Sequence, residues 1–233
     1  MGSASERFRA GCDTVWRSLH EHPFIRELAD GTLSPEKFRF FLEQDDFYLR
    51  EYARCLAFGA GKATTERELR YFTADLNQVL DDELPSNRAL LERVIELGAD
   101  DRGGSREMAP ATLAYTSYMN ALALRGGPLE IMACLLPCAW SYVDIATGIG
   151  SGEHRVHPVY DAWIGYFSQS STVALVDSMR EDFDLLVEEE TARPRIERLA
   201  ATFRMSARLE LSFWEMAYRC EQWPDVAASD PVA

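Results

Sequence analysis

Apolar residues recur along most of the chain at steps that alternate three and four, the spacing of one helix face. In FRFFLEQDDFYLREYARCL, residues 38–56, that stripe runs Phe38, Phe41, Tyr48, Tyr52, and Asp45 falls on it. The same spacing predicts helices over about 6–21, 34–61, 65–83, 86–97, 109–124, 128–147, 157–167, 170–190 and 194–221. Val, Ile and Thr are sparse, and no stretch alternates apolar and polar residues as a half-buried strand does. Ser34-Pro35 supplies an N-cap followed by a proline at the first helical position. Pro85, Gly98, the DDRGG stretch at 100–104, Gly126-Gly127-Pro128 and Arg193-Pro194 are expected breaks. Without a repeat, a low-complexity segment or a long linker, the reading is one all-α helical bundle over residues 1–223. The polar, proline-bearing tail 224–233 is expected to fray.

Composition narrows the class. The 233 residues are 47% hydrophobic and 27% charged, enough to bury a sizeable core. A net charge of −14 argues against a nucleic-acid partner, which needs clustered Lys and Arg. The start MGSASERFRAGCDTVW lacks the apolar stretch of a signal peptide. No apolar run is expected to reach a membrane span, since MACLLPCAW is short and holds a proline. Five scattered cysteines fit reduced thiols in a cytoplasm better than a disulfide framework.

Several polar residues sit where core residues belong. Asp45 has Phe41 one turn before it and Tyr48 nearly one turn after, whereas Asp46 points elsewhere and reads as a solvated acid. In α-helical register Glu210 joins Phe203, Ala207, Trp214 and Ala217, and Cys138 joins Ile131, Cys134, Tyr142 and Ile145. Tyr115, Tyr118 and Leu122 form a further stripe. Pro137 precedes Cys138 and is expected to interrupt its helix. Cys12, Cys55, Cys134 and Cys220 read as small hydrophobes, and tyrosines at helical spacing are commonly core. An unpaired buried carboxylate costs several kcal/mol, so a salt bridge, a metal or a polar ligand is required. A metal has little support. None of His20, His22, His154 and His157 has a Glu three residues before it, and Cys134/Cys138 has no second cysteine pair. A phosphate loop and a G-x-S-x-G elbow are both missing from the sequence.

Five blocks in chain order carry a resemblance: QDDFYLREYARCLAFGAGKA (44–63), PATLAYTSYM (110–119), LLPCAWSYVDI (135–145), HPVYDAWIGYF (157–167) and LELSFWEMAY (209–218). Together they resemble the TenA/thiaminase II family. The resemblance implies a haem-oxygenase-like fold, a homo-oligomer (usually a tetramer), and a cofactor-free hydrolase of thiamin salvage. Its substrate would be thiamin or 4-amino-5-aminomethyl-2-methylpyrimidine, converted to the hydroxymethylpyrimidine. By position, Asp45 matches the acid that holds the aminopyrimidine, Cys138 the nucleophile and Glu210 the proton-shuttling carboxylate. Tyr48, Tyr115 and Tyr142 match pocket tyrosines. The family usually has Tyr where this chain has Phe167, with Tyr166 one step early, so either the helix is shifted or a pocket hydroxyl is missing. Two rivals remain: an oxidase resembling pyrroloquinoline-quinone synthase, which would want basic residues and histidines, and a non-catalytic ligand-binding or regulatory protein.

Overall fold

The computed structural model describes residues 2–96, 107–150 and 157–224. The expected breaks at Gly98 and 100–104, residue His154 and the tail beyond Pro224 lie outside them. Among the described residues there are helices and no strands. The order is α1 (Ala4–Ala10), α2 (Asp13–His20), α3 (Pro23–Ala29), α4 (Pro35–Lys62), α5 (Glu66–Gln78), a π turn (Val79–Glu83), α6 (Leu84–Glu96), α7 (Pro110–Arg125), α8 (Pro128–Gly150), α9 (Pro158–Ser168), α10 (Ser170–Glu189) and α11 (Arg193–Arg219). Helices α4, α8 and α11 pack together at the centre; α5, α6 and α7 flank α4, while α9 and α10 lie against α8.

Local chemistry explains the ends. Ser34 Oγ accepts from Lys37 N at 3.4 Å with Pro35 next, as expected for the start of α4. Thr65 and Glu68 form a reciprocal capping box on α5. Lys62 closes the far end of α7 by donating from Nζ to the carbonyls of Ala123, Leu124 and Gly126. Gly59 allows α4 and α5 to meet: a Cβ there would lie 2.3 Å from the Phe72 ring.

The structure differs from the pattern in five places. The helix expected over 6–21 breaks at Gly11 and Cys12, which lets both Phe8 and Trp16 reach Phe203. Helix α3 was not expected. It begins at Pro23, with His22 Nδ1 accepting from Phe24 N at 3.2 Å. Pro85 does not end a helix. It sits in the first turn of α6, where its missing N–H is spare, and the π turn carries the chain through with Leu84 N bonded to Val79 O. Pro137 likewise lies inside an unbroken α8. The buried face of α7 is Thr112, Tyr115, Thr116, Met119 and Ala123, so Tyr118 and Leu122 of the expected stripe are only half-buried.

Helix α8 corrects a further expectation, because by length and composition it is apolar enough to cross a membrane. Its apolar window is 78% buried inside the molecule, the behaviour of a core helix surrounded by protein. Asp46 is also not a free acid: Arg50 and Arg88 both pair with it. Of the cysteines expected to behave as core, Cys12, Cys55 and Cys134 are buried. Cys220 is half-buried and caps α11 in the left-handed region at φ 48°.

Candidate active site

The long helices α4 and α8 each turn one predicted stripe toward a shared cavity. From α4 come Tyr48 and Tyr52, from α8 Cys138 and Tyr142, and from α9 Phe167. A smaller lobe adjoins it, lined by Asp45, Asn87, Trp163 and Tyr166. Glu83 and Phe167 stand on the walls of both. Glu210 and Tyr115 line neither and sit fully buried behind Cys138.

Tilted and edge-on ring contacts hold the aromatic wall in place. Tyr142 lies 5.0 Å from Phe167, 5.1 Å from Trp214 and 5.7 Å from Trp163, centroid to centroid. Tyr48 lies 4.9 Å from Tyr115 and 5.7 Å from Phe213. The ambiguity at 166/167 resolves within a regular α9. Phe167 lines the main cavity without a hydroxyl, whereas Tyr166 lines only the adjoining lobe and its hydroxyl accepts from Gln78 Nε2.

Around Cys138 the electrostatics disfavour charge. Burial, then Glu210, Glu83 and Asp45, hold its thiol well above the ordinary range. Tyr48 Oη has no hydrogen-bond partner of good geometry, yet lies near enough to the thiol to offset part of that rise. Cys138 is nevertheless only half-buried, with its open side on the cavity. Glu210 receives Tyr115 Oη at 3.0 Å, and Ser206 supports that hydroxyl at 3.0 Å. Burial pushes Glu210 up to about 7, offset by Tyr115, Cys138 and Tyr142. Asp45 is 7% exposed with no hydrogen-bond partner or cation among the described residues, and burial followed by the charges of Glu83 and Glu210 raises it well above the carboxylate range. Of the three destinations open to such an acid, a salt bridge is therefore not found among the described residues. Among the described residues no group of three or more His, Cys, Asp or Glu is placed to hold a metal.

Two further acids reach the cavity. Asp75 of α5 is 3% exposed, accepts from Tyr52 Oη at 3.0 Å and is pushed by burial up to about 7. Glu83, in the π turn, is pushed up to about 8 by burial and by Asp75, with Gln78 opposing. Both carry the signal that marked Asp45: Phe72, Asp75, Val79 and Glu83 follow steps of three, four and four. An acid on an apolar stripe was legible there too.

The family model described as TENA/THI-4/PQQC matches residues 9–220. An aminopyrimidine aminohydrolase of Halalkalibacterium halodurans is 34% identical over 210 residues, covering 90% of this chain and 92% of the relative. A crystal structure from Silicibacter sp. TM1040, described as a TenA family transcription regulator, superposes with a TM-score of 0.83 at 26% identity, covering 93% of this chain and 97% of that one. A domain from Shewanella denitrificans with a heme oxygenase-like fold superposes at 0.68 and 17% identity, covering 98% and 97%. That likeness concerns the fold, which this chain shares. The chain belongs to the TENA/THI-4/PQQC family.

Proposed function

We propose that this protein is an aminopyrimidine aminohydrolase of the thiaminase II type. It would hydrolyse 4-amino-5-aminomethyl-2-methylpyrimidine, and thiamin, to the 5-hydroxymethyl compound in thiamin salvage. The observation that carries the reading is the meeting of an accessible thiol, Cys138, with Glu210 and the unpaired Asp45 beside an aromatic-walled cavity. Identity to an aminopyrimidine aminohydrolase over nearly the full length supports it.

A flat aminopyrimidine fits between Tyr48, Tyr142 and Phe167, with Asp45 taking the hydrogens on its amino edge. The thiol is too poor an acid to ionise alone, so its proton passes to the Glu210 carboxylate as sulfur bonds to the electron-poor ring. Glu210 hands that proton to a ring nitrogen, a role suited to an acid that titrates near neutrality. The electron pair gained by the ring expels the amine from the adjacent methylene. Water then adds at that carbon, its spare proton leaves with the amine, and the sulfur departs as Glu210 recovers the ring proton for the thiol. No metal or other cofactor is needed. The oxidase alternative is disfavoured because none of the described residues lining either lobe is Lys, Arg or His.

Cys138→Ser tests the reading. We expect a folded protein that loses turnover by several orders of magnitude, measured by release of amine, because a hydroxyl is a far weaker nucleophile at neutral pH. Near-normal hydrolysis by the folded variant would overturn the mechanism. A cytoplasmic homotetramer completes the proposal. It is supported by free cysteines and by exposed Phe58, Leu113 and Leu124 on the contacting helices α4 and α7.

A further inference from the structure

Behind Cys138 the donors and acceptors do not balance. Ser206 Oγ lies 2.5 Å from the Cys134 carbonyl oxygen and 3.0 Å from Tyr115 Oη, which in turn lies 3.0 Å from Glu210 Oε2. All three side chains are buried, and neither Ser206 nor Tyr115 lines the cavity. The row therefore holds three oxygen-to-oxygen contacts, and each needs one hydrogen. A carbonyl brings none and a hydroxyl brings one, so Ser206 and Tyr115 supply two. Tyr48 and the Cys134 thiol also approach Tyr115 and Ser206. Their hydrogens cannot fill a contact between two other oxygens. The third hydrogen has one remaining source, the Glu210 carboxyl in its protonated form.

We infer that Ser206 is a positioning residue for the proposed reaction, anchoring a reversible row of hydrogen bonds that stabilises the proton Glu210 takes from Cys138. The inference rests on the aminopyrimidine reading above and adds a residue which that reading does not use. When Glu210 is protonated it donates to Tyr115, Tyr115 donates to Ser206, and Ser206 donates to the Cys134 carbonyl. All three contacts are then filled. When Glu210 is ionised, Tyr115 turns its hydrogen to the carboxylate, because the charge-assisted bond is the stronger one. Ser206 then turns to Tyr115 and releases the carbonyl. That release is the least costly, because Cys134 stands four residues before Cys138, where an α-helix supplies its carbonyl with another donor, the nucleophile's own N–H. The protonated state thus holds one hydrogen bond more than the ionised state, and Ser206 makes the difference. A thiol held well above its ordinary range is a reluctant proton donor. A base that gains a bond on protonation draws that proton more strongly. Besides Tyr115 of α7, the titratable groups facing Glu210 are Asp45 and Tyr48 from α4 and Cys138 and Tyr142 from α8. Asp45 is also raised, so a test has to tell the two acids apart.

Infrared titration of the full-length protein tests this without turnover. The carboxyl band of Glu210 is identified by its loss in Glu210→Gln, which separates it from Asp45. In Ser206→Ala the midpoint of that band is expected to move down by about half to one pH unit, the equivalent of roughly one hydrogen bond. Added to Tyr115→Phe, where the row is already cut, Ser206→Ala is expected to shift it no further. The acid limb of kcat/KM for the aminomethylpyrimidine should move down with the band, and the plateau should fall. A midpoint that stays or rises in folded Ser206→Ala, or an equal shift in the Tyr115→Phe background, overturns the row and leaves the aminopyrimidine reading standing. Should Ser206→Ala fail to fold, the unsubstituted protein decides. With isotope-labelled cysteine carbonyls, the amide band lost in Cys134→Ala is expected to fall in frequency as Glu210 gains its proton. A band indifferent to that titration overturns the inference. Failure of the unsubstituted protein to hydrolyse the aminomethylpyrimidine or thiamin overturns the reading itself, and Ser206's part in the reaction with it.

Discussion

Asp45 shows how a single side chain separates scaffold from site. Had an inward arginine paired with it, its removal would cost roughly 3–5 kcal/mol. No cation lies beside it among the described residues, and burial together with Glu83 and Glu210 raises its pKa. A raised folded pKa means that the native state holds its proton more tightly than the unfolded chain does. The stability this contributes is present in full below the unfolded pKa and is lost as pH rises through the folded value. Glu210, raised to about 7, and Glu83, raised to about 8, act in the same direction. The melting temperature of the empty protein is therefore expected to carry a falling component between about pH 5 and 8. Asp45→Asn removes part of that component. Thermal melts at pH 7 should show the variant melting at or above the unsubstituted protein, by about 2–4 °C for each kcal/mol recovered, with much weaker binding of the hydroxymethylpyrimidine. A sharply lowered melting temperature with ligand affinity retained would make Asp45 scaffold. Thiol labelling reads the same site differently. Iodoacetamide is expected to modify Cys138 with protection by bound pyrimidine, because its open side faces the cavity whereas Cys12, Cys55 and Cys134 are buried. Peptide mapping that finds the protected thiol elsewhere would count against it.

Among the elements, α4 and α5 depend on a contact between a glycine and a ring. Gly59 is buried and Phe72 fully so, and a methyl group at residue 59 would meet the ring at 2.3 Å. Gly59→Ala is expected to lose about 1–3 kcal/mol in denaturant unfolding, despite alanine's better helix propensity. A gain in stability would mean that α5 can shift. The consequence for function lies in the same helix: α5 carries Asp75 and leads into the π turn with Glu83, so a displaced α5 moves part of the cavity that Cys138 lines. Element types were legible because the three-and-four spacing is long and strong over α4, α8, α10 and α11. Their joins were less legible. Pro85 and Pro137 signal breaks in isolation, yet Pro85 falls in a first turn that spares its N–H, burial of α8 outweighs the one hydrogen bond lost at Pro137, and α3 is too short for its seven residues to show a period.

At the scale of the molecule, two measurements bear on assembly and chemistry. Sedimentation is expected to give a tetramer, and Phe58→Glu should weaken it, because Phe58 with Leu113 and Leu124 leaves apolar surface exposed on adjoining helices. A monomer at micromolar concentration would remove the oligomer from the proposal. Dialysis against EDTA is expected to leave full activity, since the proposed steps use sulfur and carboxylates alone; recovery of lost activity by added metal would favour the oxidase reading.

The sequence by itself determined the helical class, the register of the central helices and the candidates Asp45, Cys138 and Glu210, because a polar residue on an apolar stripe is visible without coordinates. The motif blocks pointed to the family for the same reason, since they lie on those stripes. Only the tertiary structure decided which stripes face one another. It put Glu210 and Tyr115 behind the thiol, gave Phe167 and not Tyr166 to the main cavity, and rotated the buried face of α7 away from Tyr118. It also brought Asp75 and Glu83 onto the cavity that Cys138 lines, from segments that precede it by more than fifty residues. Periodicity records which side of a helix is buried. The partner it is buried against is set by how the helices pack, and that is where a cavity, its charge and the neighbours that shift each pKa arise.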